Sequence, residues 1–204
     1  MTRSQLLRQE IIDAALASAR SLGTPLWLYE AESIRQRVEQ VSVFDCVRYA
    51  QKANSNTHIL RLLRSMGVVT DAVSLGEIER ALRAGYAPGT SAHEIVFTAD
   101  IIDKTTLARV LELGIPVNCG SPDMVRQVGR AGRGHPVWLR INPGFGHGHS
   151  RKTNTGGPSS KHGIWHEEFE DTLGLVDEYG LALIGLHMHI GSGVDYSHLQ
   201  EVCG

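Results

Sequence analysis

Short apolar segments alternate with amphipathic ones along most of the chain, and this rhythm constrains the fold more than any other feature. Residues 46–50, 68–73, 95–98, 116–118, 137–142 and 183–190 have the length and apolar character of buried strands. Residues 57–66, 75–84, 104–113, 122–131 and 169–179 carry the apolar spacing of helices. Strands joined through helices predict parallel pairing, because a parallel neighbour is reached only by a crossover. Such a chain either stays open as a doubly wound sheet or closes into a β/α barrel. Polar residues gather at the C-terminal ends of several strands: Lys52, Asp71 with Ser74, Thr98, Asn118, Asn142 and His189. A barrel assembles its site from many strand ends. A dinucleotide fold would place a GxGxxG turn after its first strand, and none stands there. The expected class is therefore α/β, a (β/α)8 barrel represented by about six strand–helix units. A complete barrel takes roughly 250 residues, against 204 here. An open edge of unpaired strand groups is expected, and with it a piece of a longer protein.

Residues 1–40 read as a lead-in to the barrel of residues 41–204. A helix over 4–21 shows Leu7, Ile11, Ile12, Ala15 and Ala19 on a broad apolar face. Gly23-Thr24-Pro25 breaks it, Leu26-Trp27-Leu28-Tyr29 reads as a short strand, and 30–41 as a second helix. The mixed polarity of residues 1–22 is unlike a secretory signal. No apolar run is long enough to span a bilayer. With a formal net charge of -2 and a pI of about 6.5, the chain lacks the basic field that nucleic acid would require. Cys46, Cys119 and Cys203 form no CxxC pair, so a reducing, cytoplasmic setting is expected and a disulfide framework is not.

Four features could carry chemistry. Lys52 ends a strand whose alternation puts Arg48, Ala50 and Lys52 on one face. An inward lysine there would lose solvation, which favours the neutral amine needed for a Schiff base; a surface lysine at a loop start would look the same. Leu186-His187-Met188-His189-Ile190 sends both histidines to one face, and Gly191-Ser192-Gly193 then offers backbone N–H groups and a hydroxyl suited to a phosphate, although most such turns are only turns. The glycine-rich stretch from Arg140 to Ile164 reads as a lid over a site or as a solvated loop. Asp71, near Lys52 by strand position, would pair with or orient the lysine; its plainer role is a capping group for the next helix, where Ser74 and Glu77 look like a capping box. His147, His149, His162, His166, His187 and His189 raise the alternative of a metal-dependent barrel hydrolase, but no inward carboxylate in that span completes a ligand set, and no metal is expected.

Taken together, these segments resemble the fold-type III pyridoxal-phosphate (PLP) decarboxylases. Tyr49-Ala50-Gln51-Lys52-Ala53-Asn54-Ser55-Asn56 resembles their cofactor-lysine motif, and Asp71-Ala72-Val73-Ser74-Leu75-Gly76-Glu77 their next strand. His187-Met188-His189-Ile190-Gly191-Ser192-Gly193 resembles their cofactor-stacking and phosphate motif. Arg140-Ile141-Asn142-Pro143-Gly144, Gly148-His149, Thr155-Gly156-Gly157 and Ser160-Lys161-His162-Gly163-Ile164 resemble the diaminopimelate decarboxylases in particular. The resemblance implies a PLP-binding barrel of the alanine racemase-like type, with Lys52 holding pyridoxal 5'-phosphate. It implies that His189 stacks on the pyridine ring and that Ser192, with Gly191 and Gly193, binds the phosphate. Asp71 and Arg140 would lie close to the cofactor, and residues 144–161 would cover the site. His162 departs from the aromatic residue expected there. Residues 26–29 would belong to a second β-domain. The implied reaction is decarboxylation of meso-2,6-diaminopimelate to L-lysine and CO2 by a homodimer, and these 204 residues alone are expected to be inactive. A non-catalytic PLP-binding barrel is the remaining alternative.

Overall fold

A computed structural model describes residues 3–89, 93–146, 156, 157, 160–189 and 191. They form two compact units, Met1–Val47 and Arg48–Gly204. The first unit holds helix α1 (Arg3–Leu22) and helix α2 (Ala31–Glu39). It extends past residue 40 because the turns that follow α2 bond back to it: Gln40 N–H donates to Gln36, Val41 to Val38 and Ser42 to Glu39. Ile11, Ala15 and Ala19 share the half-buried side of α1, whereas Ile12, expected on that face, is 50% exposed. Residues 26–29, expected as a strand of a second β-domain, make no ladder with any described residue. A strand exists only with a partner, and Trp27 is 90% exposed.

The second unit begins with strand β1 (Arg48–Ala50) and continues as α3 (Thr57–Ser65), β2 (Val69–Ala72), α4 (Leu75–Ala84), β3 (Ile95–Phe97), α5 (Lys104–Leu113), β4 (Val117–Cys119), α6 (Pro122–Ala131) and β5 (Pro136–Asn142). After the long glycine-rich stretch come β6 (Ile164–Trp165), a 3₁₀ turn at His166–Glu168, α7 (Phe169–Glu178) and β7 (Ala182–Met188). Strands β1, β2, β3, β4, β5 and β7 lie side by side in chain order, every pair parallel. This is the arc of a β/α barrel. β6 adds two residues alongside the end of β5, with Ile141 opposite Ile164 and Asn142 opposite Trp165. Among the described residues β1 pairs only with β2, and β7 only with β5.

Local chemistry sets the boundaries of the helices. Asn56, Ser74, Asp103 and Ser121 cap α3, α4, α5 and α6 by accepting from backbone N–H groups of the first turn. Ser74 Oγ accepts from Glu77 N–H and Glu77 Oε2 accepts from Val73 N–H, a capping box shifted by one residue at its return bond. Gly85 (φ 99°) and Gly114 (φ 62°) end α4 and α5 in the left-handed conformation, which costs a glycine no Cβ clash.

Strand alternation separates two environments. Thr70, Ala72, Ile95, Phe97, Val117, Cys119, Val137 and Leu139 are buried, and all but Thr70 join a core with Leu60, Ile78, Val110, Val125 and Val176 of the helices. Full burial of an aliphatic or phenyl side chain contributes about 1.5–3 kcal/mol, so this layer supplies the driving force. The opposite face is largely polar: Asp71, Asn118, Trp138, Arg140 and His187. Register brings them together, with Asn118 opposite Trp138 and Arg140 opposite His187. Gly185 sits opposite Trp138, and a Cβ there would approach the indole to 2.9 Å. Arg48 closes the bottom of this interior. Its guanidinium donates to the carbonyls of Thr70, His93 and Glu94 and lies 5.9 Å from the Trp138 ring centre.

Candidate active site

Strand ends deliver the polar groups to one place. Lys52 lies in the turn that directly follows β1, and Asp71 faces the same interior from β2. Lys52 is exposed, so the loss of solvation expected for it is not supplied by the described residues. The reason is local: the strand stops at Ala50, and it is Gln51 that is fully buried. Asp71 behaves differently. Burial raises its carboxyl pKa from 3.8 to about 6, against the lowering effect of a hydrogen bond with Thr98 and of the Arg48 and Lys52 charges. Its Oδ1 is buried with no hydrogen-bond partner.

Arg140 points inward from β5, with its side chain 13% exposed. Its guanidinium donates to Asp100 Oδ1 at 3.3 Å, and the other carboxylate oxygen meets His162 Nδ1 at 2.7 Å. Asp100 follows β3, so one carboxylate ties the ends of two strands to the segment that leads into β6. His187 Nδ1 lies 2.8 Å from Asn118 Nδ2. Burial, with the Arg140, His189 and Lys52 charges, lowers the pKa of His187 to about 4. Burial and the charges of Arg140 and Lys52 likewise lower that of His189, and His162 also acts on it. The charges of Lys52 and Arg140 thus both reach His187 and His189.

Of the residues singled out from the sequence, Lys52, Asp71, Arg140 and His189 are thus brought together, and Gly191 is half-buried just beyond His189. Ser192 and Gly193 lie outside the described residues, as does most of the expected cover over 144–161. Among the described residues no cluster of three His, Cys, Asp or Glu could hold a metal. Cys119 sits on the outer, apolar side of β4, where burial pushes its thiol up to about 12, the opposite of an activated nucleophile. Sequence reading missed Asp100 and gave Asn118 only a place in the row of strand ends. The signal for both is a side-chain contact across strands, which needs the register to be known.

A cavity of about 420 Å³ opens elsewhere, between the starts of α6 and α7, lined among others by Asp123, Arg126, Glu168 and Asp171. Arg126 is already paired with Asp123 there. The strand ends are the more capable site, with a primary amine, a guanidinium, two imidazoles kept neutral and one carboxyl held close to neutral pH.

A parallel β/α arc that gathers a lysine, cations, imidazoles and a carboxyl at its strand ends has the plan of a barrel that builds its site from strand ends. The family described as "Pyridoxal-dependent decarboxylase, pyridoxal binding domain" matches residues 31–203, and the chain belongs to that family. Diaminopimelate decarboxylase of Streptomyces coelicolor is 67% identical over 187 residues, covering 92% of this chain and 42% of its own length. The Escherichia coli K12 enzyme is 61% identical over 182 residues, covering 89% and 43%. A crystal structure of a diaminopimelate decarboxylase superposes with a TM-score of 0.88 at 58% identity, covering 94% of this chain and 46% of that one. The Helicobacter pylori enzyme complexed with L-lysine gives 0.75 at 30% identity, covering 84% and 45%. The chain therefore spans less than half the length of each. The matched domain is the pyridoxal binding one, so the cofactor is pyridoxal 5'-phosphate. The described residues fit it: a primary amine for its aldehyde, and buried acceptors without partners at Asp71 Oδ1 and Asn118 Oδ1 facing the same interior. No helix among the described residues is long and apolar enough to cross a membrane.

Proposed function

We propose that the protein carrying this chain decarboxylates meso-2,6-diaminopimelate to L-lysine and CO2, using pyridoxal 5'-phosphate held on Lys52. The observation that carries the reading is the convergence of Arg140, Asp71, His187 and His189 on the space beside Lys52, in a chain 67% identical to a diaminopimelate decarboxylase. The likeness to relatives named for that substrate supports the choice among amino-acid decarboxylases.

When bound, the cofactor supplies an electron-withdrawing ring that takes up the electron pair left as CO2 departs. The chain's own residues bind and orient. Lys52 would offer the amine that holds the aldehyde. His189, neutral and at the end of β7, supplies a flat face for the ring. Gly191, Ser192 and Gly193 would hold the phosphate, offering backbone N–H groups and a hydroxyl. Arg140, held by Asp100, keeps a fixed positive charge beside the reacting centre, and Asp71 offers a carboxyl able to hold a proton near neutral pH. In this reading residues 26–29 pair with a β-domain beyond the chain described here, the working unit is a homodimer, and the setting is cytoplasmic.

The test is covalent trapping. PLP is added, the adduct is reduced with borohydride, and the labelled peptide is mapped among Lys52, Lys104, Lys152 and Lys161. Label on Lys52, lost in Lys52→Ala, is expected. Label distributed over the other lysines of a folded chain would overturn the assignment.

A further inference from the structure

We propose that Asn118 fixes His187 as a neutral imidazole with its proton on Nε2, so that His187 serves the site as a permanent hydrogen-bond donor and not as a proton carrier. Asn118 Nδ2 donates to His187 Nδ1 across 2.8 Å. A ring nitrogen that accepts a hydrogen bond carries no proton, so the proton of the neutral ring lies on Nε2. The orientation of the amide follows from its surroundings. Asn118 is 4% exposed, and its Oδ1 is a buried acceptor without a partner. Trp138, opposite Asn118 in the register, has a buried Nε1 donor without a partner. With the amide turned over, both unpartnered groups of that layer would be donors, which cannot satisfy one another, whereas as placed one is an acceptor and the other a donor.

The charges facing His187 all oppose a second proton: Arg140 from β5, Lys52 after β1 and His189 on its own strand. Burial acts in the same sense. His187 is itself half-buried, and its Nε2 is not among the sealed polar atoms. Around the space beside Lys52, Arg140 and Lys52 are donors only, and His187 adds a third donor of fixed geometry. Such a set addresses an anionic or carbonyl oxygen. For the identity of that oxygen, one belonging to cofactor or substrate, the inference rests on the decarboxylase reading; for the tautomer it does not.

The experiment is proton–nitrogen correlation spectroscopy of the histidine rings in the full chain, without cofactor. His187 should show one protonated nitrogen, Nε2, unchanged across about pH 5.5–8.5, where ordinary histidines titrate. Asn118→Asp should move the proton to Nδ1, because a carboxylate can only accept, and should raise the titration midpoint of His187 by about 1–3 pH units. A native His187 protonated on Nδ1, or titrating near pH 6.5, would overturn the proposal without the variant. So would an Asn118→Asp chain in which His187 is unchanged. Because no cofactor is used, a wrong tautomer leaves the decarboxylase reading intact, and failure to label Lys52 leaves the tautomer intact.

Discussion

Asp71→Asn should stabilise the chain above neutral pH while damaging its site. The native carboxyl has its pKa raised from 3.8 to about 6, chiefly by burial. Below pH 3.8 the group is protonated whether the chain is folded or not, and burial then costs nothing extra. Between those values the folded chain holds a proton that the unfolded chain has released, so stability falls as the pH rises. Above about 6 the whole penalty is present. A rise of about two pH units, at about 1.4 kcal/mol each, amounts to about 3 kcal/mol, a large share of the roughly 5–15 kcal/mol that holds a domain folded. Asparagine keeps the shape and the capacity to bond Thr98 without the buried charge. Urea unfolding of both chains should show Asp71→Asn more stable by up to about 3 kcal/mol at pH 8 and the two converging near pH 3.5. A gap that does not change with pH, or one that favours the native chain more as pH rises, would refute the reasoning. The first would show that Arg48, Lys52 and the Thr98 bond balance burial, the second that they outweigh it. The same variant should capture PLP on Lys52 less completely, because the carboxyl beside the lysine is lost.

Two further changes probe the packing. Gly129→Ala in α6 would bring a Cβ to 2.4 Å from Tyr179 Cβ and Cγ, just past α7; overpacking of this kind costs about 1–3 kcal/mol, more than the roughly 1 kcal/mol alanine gains over glycine in a helix, so a lowered urea midpoint is expected. Ser121→Ala removes the acceptor for Met124 N–H at the start of α6 and should cost about 1 kcal/mol, read as a lower midpoint with an unchanged slope.

The helices were the most legible part of the fold. For α4, α5 and α6 the expected limits coincide with those observed, because Ser74, Asp103 and Ser121 cap them and Gly85 and Gly114 stop two of them. The parallel order of the main strands was legible for a related reason, since helical crossovers leave little else. β6 was not legible because two residues cannot show a period, and for residues 26–29 the short apolar and aromatic run gives a strand's character without saying where its partner lies. In the site, alternation put His187 and His189 on one face, and strand-end position put Asp71 near Lys52. It overstated the burial of Lys52, which stands beyond the end of its strand. The Asp100–Arg140 and Asn118–His187 contacts join residues 40 and 69 positions apart. Only the register of neighbouring strands brings them together.

Asn142 at the end of β5 has a consequence for how this part of the chain can vary. Its buried amide accepts from the N–H groups of Gly144 and Gly157 and donates to the Gly157 carbonyl. One side chain thus knots both ends of the glycine-rich stretch against the barrel. A loop tied at its neck transmits little of its own length to the sheet, and doubling its length costs only about 0.6 kcal/mol of closure entropy. Insertions or deletions between the two glycines should therefore leave β5 and β6 in register. Losing Asn142 would remove all three of these bonds at once. The place for natural or engineered diversity near the strand ends is inside that knot.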